Sequence, residues 1–278
     1  MSKVWLVTGS SRGLGRAIVE AALAAGDRVL ATARDVTTLG DIAPCHADQV
    51  RTYALDVTDE VAAQSAVNAA IETFGRLDVV VNNAGYGNVK AIEDTSVREF
   101  REQLETNLFG TIIVTKAALP HFRTAGSGQF IQFSSIGGRI GPAGRGPYSS
   151  AKWGVEGFSE VLSREVGPLG IKVTIVEPGG FRTDFAGKST KLEEGDPAYD
   201  ATVGATARFQ RNYNGRQPGD PMKAALVIVK LTQTEKPPLR LLLGRDAYDG
   251  ARSNDLARLE EAEAWKDVST STGFDDPK

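Results

Sequence analysis

The sequence has little of the chemistry that disulfide frameworks and metal sites require. Its 278 residues include one cysteine, Cys45, and two histidines, His46 and His121. A single cysteine cannot form an intrachain disulfide, and so few nitrogen and sulfur ligands argue against a zinc site. One free cysteine is typical of a reducing compartment, so we expect a cytoplasmic protein and assign these three residues no function.

Long apolar runs and an excess of one charge are also missing. No apolar stretch approaches the roughly 18 residues of a membrane span, and the strand-like pattern that begins at Lys3 leaves no room for a signal peptide. The net charge is −3, from 32 basic and 35 acidic residues that are mixed along the chain. This balance argues against a nucleic-acid partner, and we expect neither a nucleic acid nor a membrane as partner.

What the sequence does contain is a regular alternation of short apolar runs with helical patterns. The length suits one large α/β domain or two small ones, and 41% hydrophobic residues suffice for a buried core. The runs are apolar on both faces, as buried parallel strands are. They lie at 4–7, 29–32, 52–55, 79–82, 130–133, 173–176 and 239–243. The alternation predicts a doubly wound Rossmann-type parallel sheet of about seven strands, flanked by helices, in a single domain over 1–278.

Three segments qualify this regular pattern. A helical face that begins at Val97 is expected to end before Pro120. The polar segment 187–221 lacks a strand pattern and would follow the sixth strand at the carboxyl edge of the sheet, where ligands bind. It is either a substrate lid or a mobile surface loop. Residues 250–278 are expected to form a carboxyl-terminal helix and a tail.

A glycine-rich turn follows the first predicted strand and opens the first predicted helix. It reads TGSSRGLG over residues 8–15. Glycines let a backbone approach a pyrophosphate closely, and a helix N-terminus presents free N–H groups to that anion. The strand–turn–helix context favours a dinucleotide site over a turn needed only for packing. The candidate contact residues are Gly9, Ser11, Arg12, Gly13, Leu14 and Gly15.

The end of the second predicted strand indicates which dinucleotide binds. An NAD site usually has an acid there to hold the ribose 2′-hydroxyl, but this chain has Ala33 followed by Arg34. Asp35 comes one residue later and is expected to point elsewhere. Arg34, with Arg12 as a second cation, could pair with a 2′-phosphate. We therefore expect NADP(H) rather than NAD(H), unless both arginines are ordinary solvated charges.

Tyr148 and Lys152 are the pair with the most specific chemistry. They are four residues apart, so in a helix they project from one face as neighbours. A lysine ammonium beside a phenol favours the phenolate and is expected to lower the pKa of Tyr148 from its free value of about 10. Such a tyrosine can exchange a proton with an alcohol near neutral pH.

Taken together, these motifs resemble the short-chain dehydrogenase/reductase family. Besides the glycine turn they are LDV at 55–57, NNAG at 82–85, ETNLFG at 105–110, Ser135, YSSAK at 148–152 and EPGGFRT at 177–183. The match runs from Lys3 to about Leu243, and its glycine spacing is similar to that of the family's single-domain branch. The ending resembles hydroxysteroid-dehydrogenase-like members more loosely.

The resemblance implies catalytic roles for four residues. Tyr148 would be the general acid in reduction and the base in oxidation. Ser135 would hydrogen-bond the substrate oxygen, with Ser134 as the competing choice. Lys152 would lower the pKa of Tyr148 and hold the nicotinamide ribose, and Asn107 would help to carry a water-linked proton path.

The resemblance also implies a cofactor and a reaction. Further contacts with the cofactor would come from Asp56, Val57, Asn83, Ala84, Gly85, Pro178, Gly179 and Thr183, beside Tyr148 and Lys152. Separately, we hypothesise that some of the aromatic residues in loops expected near the nicotinamide end build an apolar substrate wall. These residues are Tyr86, Phe185, Tyr199, Phe209 and Tyr213. We expect an NADP(H)-dependent enzyme that interconverts a small-molecule ketone or aldehyde and the corresponding alcohol. A homodimer or homotetramer is the expected assembly. The alternatives are a non-catalytic dinucleotide sensor or scaffold and a sugar-nucleotide epimerase-like enzyme.

Overall fold

The computed structural model describes residues 2–42, 48–187 and 189–274, so Cys45 and His46 lie outside the described residues. These ranges contain a seven-stranded sheet whose paired strands all run parallel. Its strands are β1 (Val4–Val7), β2 (Arg28–Ala33), β3 (Val50–Ala54), β4 (Val79–Asn82), β6 (Gly128–Phe133), β7 (Ile171–Pro178) and β9 (Arg240–Leu243). Their order is β3-β2-β1-β4-β6-β7-β9. This arrangement confirms the predicted doubly wound parallel sheet.

Helices connect the strands and cover both faces of the sheet. They are α1 (Gly13–Ala24), α2 (Glu60–Phe74), α3 (Val97–Leu104), α4 (Gly110–Ala125), α5 (Gly146–Val166), α6 (Ala205–Tyr213), α7 (Pro221–Thr232), α8 (Arg245–Ala264) and α9 (Lys266–Thr270). Local chemistry sets their ends. The Asp59 side chain accepts hydrogen bonds from two amides at the start of α2, and α2 ends at Gly75, whose φ of 80° is left-handed.

The sheet separates two apolar cores. Successive side chains of β1 point to opposite faces, so Trp5 packs in one core and Leu6 in the other. The first core lies beneath α1 and α7, and the second lies beneath α2 and α4. All four residues of β1 are buried, which explains their continuous apolar run.

Strand order reverses between β1 and β4, and this reversal creates a crevice at the carboxyl edge of the sheet. β1 is hydrogen-bonded to β2 on one side and to β4 on the other. The chain passes from β1 to β2 on one side of this point and from β4 to β6 on the other. The segments that follow β1 and β4 therefore diverge. Ligands of open α/β sheets bind at such a point.

The chain near two of the qualified segments differs from the sequence-based expectation. The helix does not end before Pro120, because α3, a π-helical turn at Glu105–Phe109 and α4 follow one another without a break. Pro120 lies exposed inside α4, where the carbonyl group that loses its partner can turn toward water. The segment 187–221 contains α6 and a short strand, β8 (Thr190–Leu192), which pairs in parallel with β5 (Gly87–Val89).

Helix α8 begins earlier than predicted and is fixed to the sheet by polar contacts. Arg139, just after β6, bonds to Asp255 of α8 at 2.6 Å and to Glu177 of β7 at 2.8 Å. Its carbonyl oxygen accepts a hydrogen bond from the Asn254 amide at 3.2 Å. Only Ala247 and Ala251 of α8 are buried, so these contacts carry much of its attachment.

Glu177 is fully buried beside a second carboxylate, that of Glu156 on α5. Arg139 binds Glu177, and Arg240 bonds to Glu156 at 3.0 Å. One oxygen of each carboxylate is buried without a hydrogen-bond partner among the described residues. Burial, together with the nearby Glu156, raises the pKa of Glu177 to about 7, against the effect of Arg139.

The raised pKa of Glu177 predicts a pH-dependent stability. The folded protein keeps a proton that the unfolded chain releases above its usual pKa of 4.5, so the free energy of unfolding falls as pH rises from there to about 7. Replacing the carboxyl with an amide, Glu177→Gln, removes this titration and should flatten the fall. Urea unfolding between these pH values measures the slope.

Glu72→Gln is the matched control, since Glu72 is exposed on α2. It should keep the wild-type slope. The same slope in all three proteins would show that Glu177 does not hold a proton in the folded state.

Candidate active site

The turn after β1 is shaped for close approach of a ligand to the backbone. Gly9 and Gly13 have φ values of 68° and 61°, which glycine adopts at no steric cost. A Cβ atom on Gly15 would overlap the Gly9 carbonyl oxygen and lie 2.5 Å from Asn83 Nδ2. No other residue type fits at Gly15 without moving the turn. No side chain of the described residues caps the start of α1, so its free N–H groups can bind an anion.

Asn83 at the end of β4 holds this turn in place. Its Nδ2 donates to the carbonyl oxygens of Thr8 at 3.0 Å and Gly9 at 3.2 Å. The backbone amides of Asn83 and Ala84 both donate to Thr8 Oγ1, at 3.0 and 3.1 Å. The Asn83 side chain therefore shapes the cradle from behind, which sequence reasoning described only as a cofactor contact.

Thr183, which is far from the glycine turn in sequence, lies next to that turn in the structure. A Cβ atom on Gly13 would lie 3.4 Å from Thr183 Cβ. Thr183 Oγ1 also accepts a hydrogen bond from the Phe185 amide at 3.3 Å, which fixes the start of the next short turn. The predicted neighbours at 8–15 and 177–183 do come together.

Two exposed arginines stand beside the turn without acidic partners. In the described part of the chain neither Arg12 nor Arg34 forms an ion pair, whereas Arg16 is bound to Asp41 at 2.8 Å. Asp35 is turned away, because its Oδ1 accepts hydrogen bonds from the Thr37 amide and hydroxyl at 3.0 and 2.6 Å. The expected place for a 2′-phosphate thus carries positive charge, and Asp35 does not compete for it.

Asp56 and Val57 border the same end of the site. Asp56 Oδ1 accepts from the Thr58 amide at 3.0 Å and from its hydroxyl at 2.8 Å. These bonds lower the pKa of Asp56, and the charge of Arg34 lowers it further. Val57 is buried against Gly110, where a Cβ atom would lie 2.5 Å from Val57 Cγ2.

Helix α5 carries Tyr148 and Lys152 on one buried face, one turn apart. Their exposed fractions are 7% and 5%. Lys152 Nζ donates to the Phe133 carbonyl oxygen at 2.7 Å and lies 5.9 Å from the centroid of the Tyr148 ring. Burial lowers the pKa of Lys152 to about 8, so its ammonium can exchange a proton near neutral pH.

The pKa of Tyr148 is shifted in the direction opposite to the sequence-based expectation. Burial raises it above the usual value, while a hydrogen bond from Ser135 and the charge of Arg145 act to lower it. Lys152 directs its Nζ to the Phe133 carbonyl instead of the phenol oxygen, and desolvation of the phenolate therefore dominates.

Ser135, and not Ser134, is the serine that meets Tyr148. The Ser135 hydroxyl lies close enough to Tyr148 to lower its pKa, and its Oγ accepts from the Gly137 amide at 3.0 Å. Ser134 points to the opposite side of the chain, since a Cβ atom on Gly138 would overlap Ser134 Oγ. Neighbouring residues in extended backbone face opposite ways, and this alternation separates the two serines.

Asn107 lies in the π-helical turn and is fully buried. Its amide makes two bonds with the Tyr86 backbone, donating to the carbonyl oxygen at 2.8 Å and accepting from the N–H at 3.0 Å. A Cβ atom on Gly85 would lie 2.7 Å from Asn107 Oδ1 and 3.8 Å from Lys152 Nζ. Gly85 therefore lies between Asn107 and Lys152, and π turns often occur at functional sites.

The turn at Pro178 and Gly179 is fixed by a residue that sequence reasoning missed, Asp246 at the start of α8. Its Oδ2 accepts from the Gly180 amide at 2.7 Å, and a Cβ on Gly179 would overlap its carboxylate. The sequence does show an acidic residue in the first turn of a helix that follows a strand. It does not show that this residue accepts a hydrogen bond from the Gly180 amide.

Only one of the expected aromatic residues has a ring contact with Tyr148 among the described residues. The Phe185 ring lies 5.7 Å from the Tyr148 ring, measured between centroids. Phe209 and Tyr213 stack on each other on α6, and the Tyr199 hydroxyl bonds to Glu93 at 2.5 Å. Arg145, also missed by sequence reasoning, has its guanidinium 5.7 Å from the Tyr148 ring centroid.

The described residues hold no group of three or more His, Cys, Asp or Glu side chains that could bind a metal. His121 accepts a hydrogen bond from the Leu77 amide at 3.3 Å, before β4 begins and thus away from the carboxyl edge. None of the described helices is both long and apolar enough to span a bilayer.

Comparison with known proteins gives one consistent result. Residues 3–194 match the family described as short chain dehydrogenase. Oxidoreductase BOA17 of Botryotinia fuckeliana is 47% identical over 275 residues, which cover 98% of this chain and 100% of that protein. The crystal structure of a short-chain dehydrogenase from Streptomyces avermitilis is 44% identical, covers 98% of both chains and superposes with a TM-score of 0.92.

A more distant solved structure is an alcohol dehydrogenase from the archaeon Thermococcus sibiricus in complex with 5-hydroxy-NADP. It is 28% identical, with a TM-score of 0.73 over 87% of this chain and 96% of that one.

The two neighbouring serines provide a matched test of the site. Ser135→Ala removes the hydroxyl beside Tyr148 and a donor for a substrate oxygen, and should lower kcat about 100-fold. Ser134→Ala removes a hydroxyl that has no partner among the described residues and should change kcat less than about threefold. Steady-state kinetics with any carbonyl substrate that is turned over measures both. Equal losses of kcat in the two variants would show that the catalytic effect comes from disturbing the segment and not from the Ser135 hydroxyl.

Proposed function

Because the chain belongs to the short-chain dehydrogenase family and is therefore an oxidoreductase, we propose that it interconverts a carbonyl compound and its alcohol with NADP(H). The carbonyl compound is a ketone or aldehyde. The observation that carries the proposal is the convergence of three side chains. Tyr148 is buried, lies beside the Ser135 hydroxyl, and is one helical turn from Lys152.

The residues present fit a nicotinamide dinucleotide. Gly15 lets the start of α1 pack closely on the turn at 8–15, and no side chain of the described residues caps the free N–H groups there, which leaves them able to bind a pyrophosphate. Asn83, Ala84 and Gly85 would form the opposite wall, with Pro178, Gly179 and Thr183 closing it at the end of β7. A bound nicotinamide supplies the hydride chemistry.

Tyr148 supplies the proton in this scheme. A phenol whose pKa burial has raised keeps its proton at neutral pH, which suits donation to a carbonyl oxygen during reduction. Ser135 holds the same oxygen and stabilises the charge that develops on it. Both groups are fixed before substrate arrives, so little reorganisation accompanies the reaction.

Lys152 can restore the proton that Tyr148 gives up. Its pKa of about 8 lets it gain and lose a proton near neutral pH. Gly85 leaves the space between Lys152 and Asn107 free of a side chain, and a water there would connect them. This would complete the water-linked path that the family resemblance implies.

The preference for NADP(H) rests on Arg12 and Arg34. Each is exposed beside the turn and lacks an ion-pair partner among the described residues. The solved relative from Thermococcus sibiricus binds 5-hydroxy-NADP, and a 2′-phosphate in this chain would lie between these two cations.

The segment 187–221 is proposed as the substrate lid. It begins just after Phe185, which packs on Tyr148, and α6 within it reaches back to α5 through Gln210. The competing sensor or scaffold function would not need Tyr148 and Lys152 together on one buried face. A homodimer or homotetramer stays a prediction.

Tyr148→Phe tests the proton donor. It keeps the ring but removes the hydroxyl that would protonate the substrate oxygen, so kcat should fall about 100-fold or more. NADPH affinity, measured by fluorescence titration, should change less than about threefold. Tyr53→Phe on β3 is the control and should keep full turnover. A Tyr148→Phe protein with the wild-type rate would remove the basis of the proposal.

Arg34→Ala tests cofactor choice. Loss of a charge-assisted pair with a 2′-phosphate should raise the KM for NADPH roughly tenfold or more, while the KM for NADH changes little. Arg98→Ala, at an exposed position on α3, is the control and should alter neither value. A parallel rise for both cofactors in Arg34→Ala would exclude pairing with the 2′-phosphate.

A further inference from the structure

Arg145 is a shielded cation with no counter-charge. It precedes α5, and no carboxylate of the described residues lies within 4.0 Å of its nitrogens. One terminal nitrogen donates to Gln210 Oε1 on α6 at 2.8 Å. The other is removed from solvent and has no hydrogen-bond partner in the described residues.

The shielded nitrogen lies next to the catalytic tyrosine. The guanidinium carbon is 5.7 Å from the centroid of the Tyr148 ring. A Cβ atom on Gly87 would lie 3.0 Å from this nitrogen, 3.1 Å from Thr190 Oγ1 and 3.3 Å from Phe185 Cζ. The cation therefore borders the substrate side of Tyr148, beneath the segment 187–221.

The other partly buried arginines of the site region are neutralised. Arg139 bonds to Glu177 and Asp255, and Arg240 bonds to Glu156 and Glu160. A guanidinium in a low-dielectric environment without an anion is costly, and burial accordingly lowers the pKa of Arg145. The cost remains in this structure and would be relieved by an incoming anion.

The contacts that Arg145 does make leave its charge uncompensated. A guanidinium has five N–H donors, and Gln210 accepts from one of them. The face of the Tyr148 ring contributes a cation–π attraction. Neither partner carries a negative charge at neutral pH.

We propose that Arg145 binds a carboxylate of the substrate, which makes this enzyme selective for oxo acids and their hydroxy-acid products. The inference rests on the carbonyl–alcohol reaction proposed above and deepens it by naming the substrate class. The acid group would lie a few bonds from the reacting carbon, because the guanidinium and the phenol are close neighbours. A carboxylate suits the planar fork of arginine, which can donate two parallel N–H bonds.

The carboxylate itself undergoes no chemistry. The carbonyl carbon gains a hydride as NADPH is oxidised to NADP⁺, Tyr148 gives its proton to the carbonyl oxygen, and Lys152 restores that proton and regains its own from solvent. Arg145 bonds to Gln210 and lies near Thr190, and both of these residues belong to the segment 187–221. Substrate charge and lid closure would then be linked.

The test compares oxo acids of increasing chain length with their methyl esters, using NADPH and the full-length protein. At one or more chain lengths the wild-type kcat/KM should favour the acid by about tenfold or more. Arg145→Gln should lower kcat/KM for that acid roughly 10- to 100-fold and leave the ester within about threefold. Arg145→Lys should retain part of the preference. Arg211→Gln, which removes an exposed charge of the same segment, should alter neither substrate.

Two controls separate the possible failures. NADPH affinity by fluorescence titration should be unchanged in every variant, which shows that the fold and the cofactor site are intact. Calorimetric binding of the matched hydroxy acid and ester to the NADP⁺-loaded protein gives a readout independent of turnover, and Arg145→Gln should lose only the acid.

Equal losses for acids and esters in Arg145→Gln would overturn the inference, because they would show that Arg145 only orients Tyr148. Turnover of esters without a preference for any acid would overturn it while the proposed function stands. Failure of every carbonyl compound to oxidise NADPH would reject the proposed reaction and the substrate class with it, whatever the binding data show.

Discussion

The parallel pairing of β1 with β4 is the constraint on which the site depends. Their register aligns Val7 with Val81, so the two chains leave the sheet at the same level. Thr8 then donates through Oγ1 to the Val81 carbonyl oxygen at 3.2 Å and accepts from the two amides that follow β4. Asn83 completes the link. Without this pairing the glycine turn would have no fixed wall, and the open start of α1 would not face the crevice.

Burial then sets the electrostatics of the crevice. Tyr148, Lys152 and Glu177 are taken out of water by the same packing of α5 and β7, and each has a pKa displaced toward its neutral form. The three pKa shifts have different consequences. The phenol retains a proton that it can give away, the ammonium becomes able to lose one, and the carboxyl group of Glu177 affects stability, because its environment joins α5, β7 and α8.

The sequence was sufficient for features whose cause is local. Buried parallel strands read as short apolar runs, the turn at 8–15 needs glycines, and Tyr148 and Lys152 share a face because of their spacing alone. It failed where the cause lies far along the chain. The direction of the Tyr148 pKa shift depends on how deeply α5 is packed, and the bond from Gly180 to Asp246 joins residues that no pattern relates. The missing counter-charge of Arg145 is equally invisible, since any of 35 acids could have paired with it.

The π-helical turn at Glu105–Phe109 has a consequence for how the helices share their neighbours. A π turn inserts one residue, which rotates everything after it by about 100° relative to an uninterrupted α-helix. α3, before the turn, packs on α5, whereas α4, after it, packs mainly on α2. Because of this rotation, the continuous helix formed by α3, the π turn and α4 presents apolar faces in two directions. Asn107 points inward within the π turn, where one face ends and the other begins.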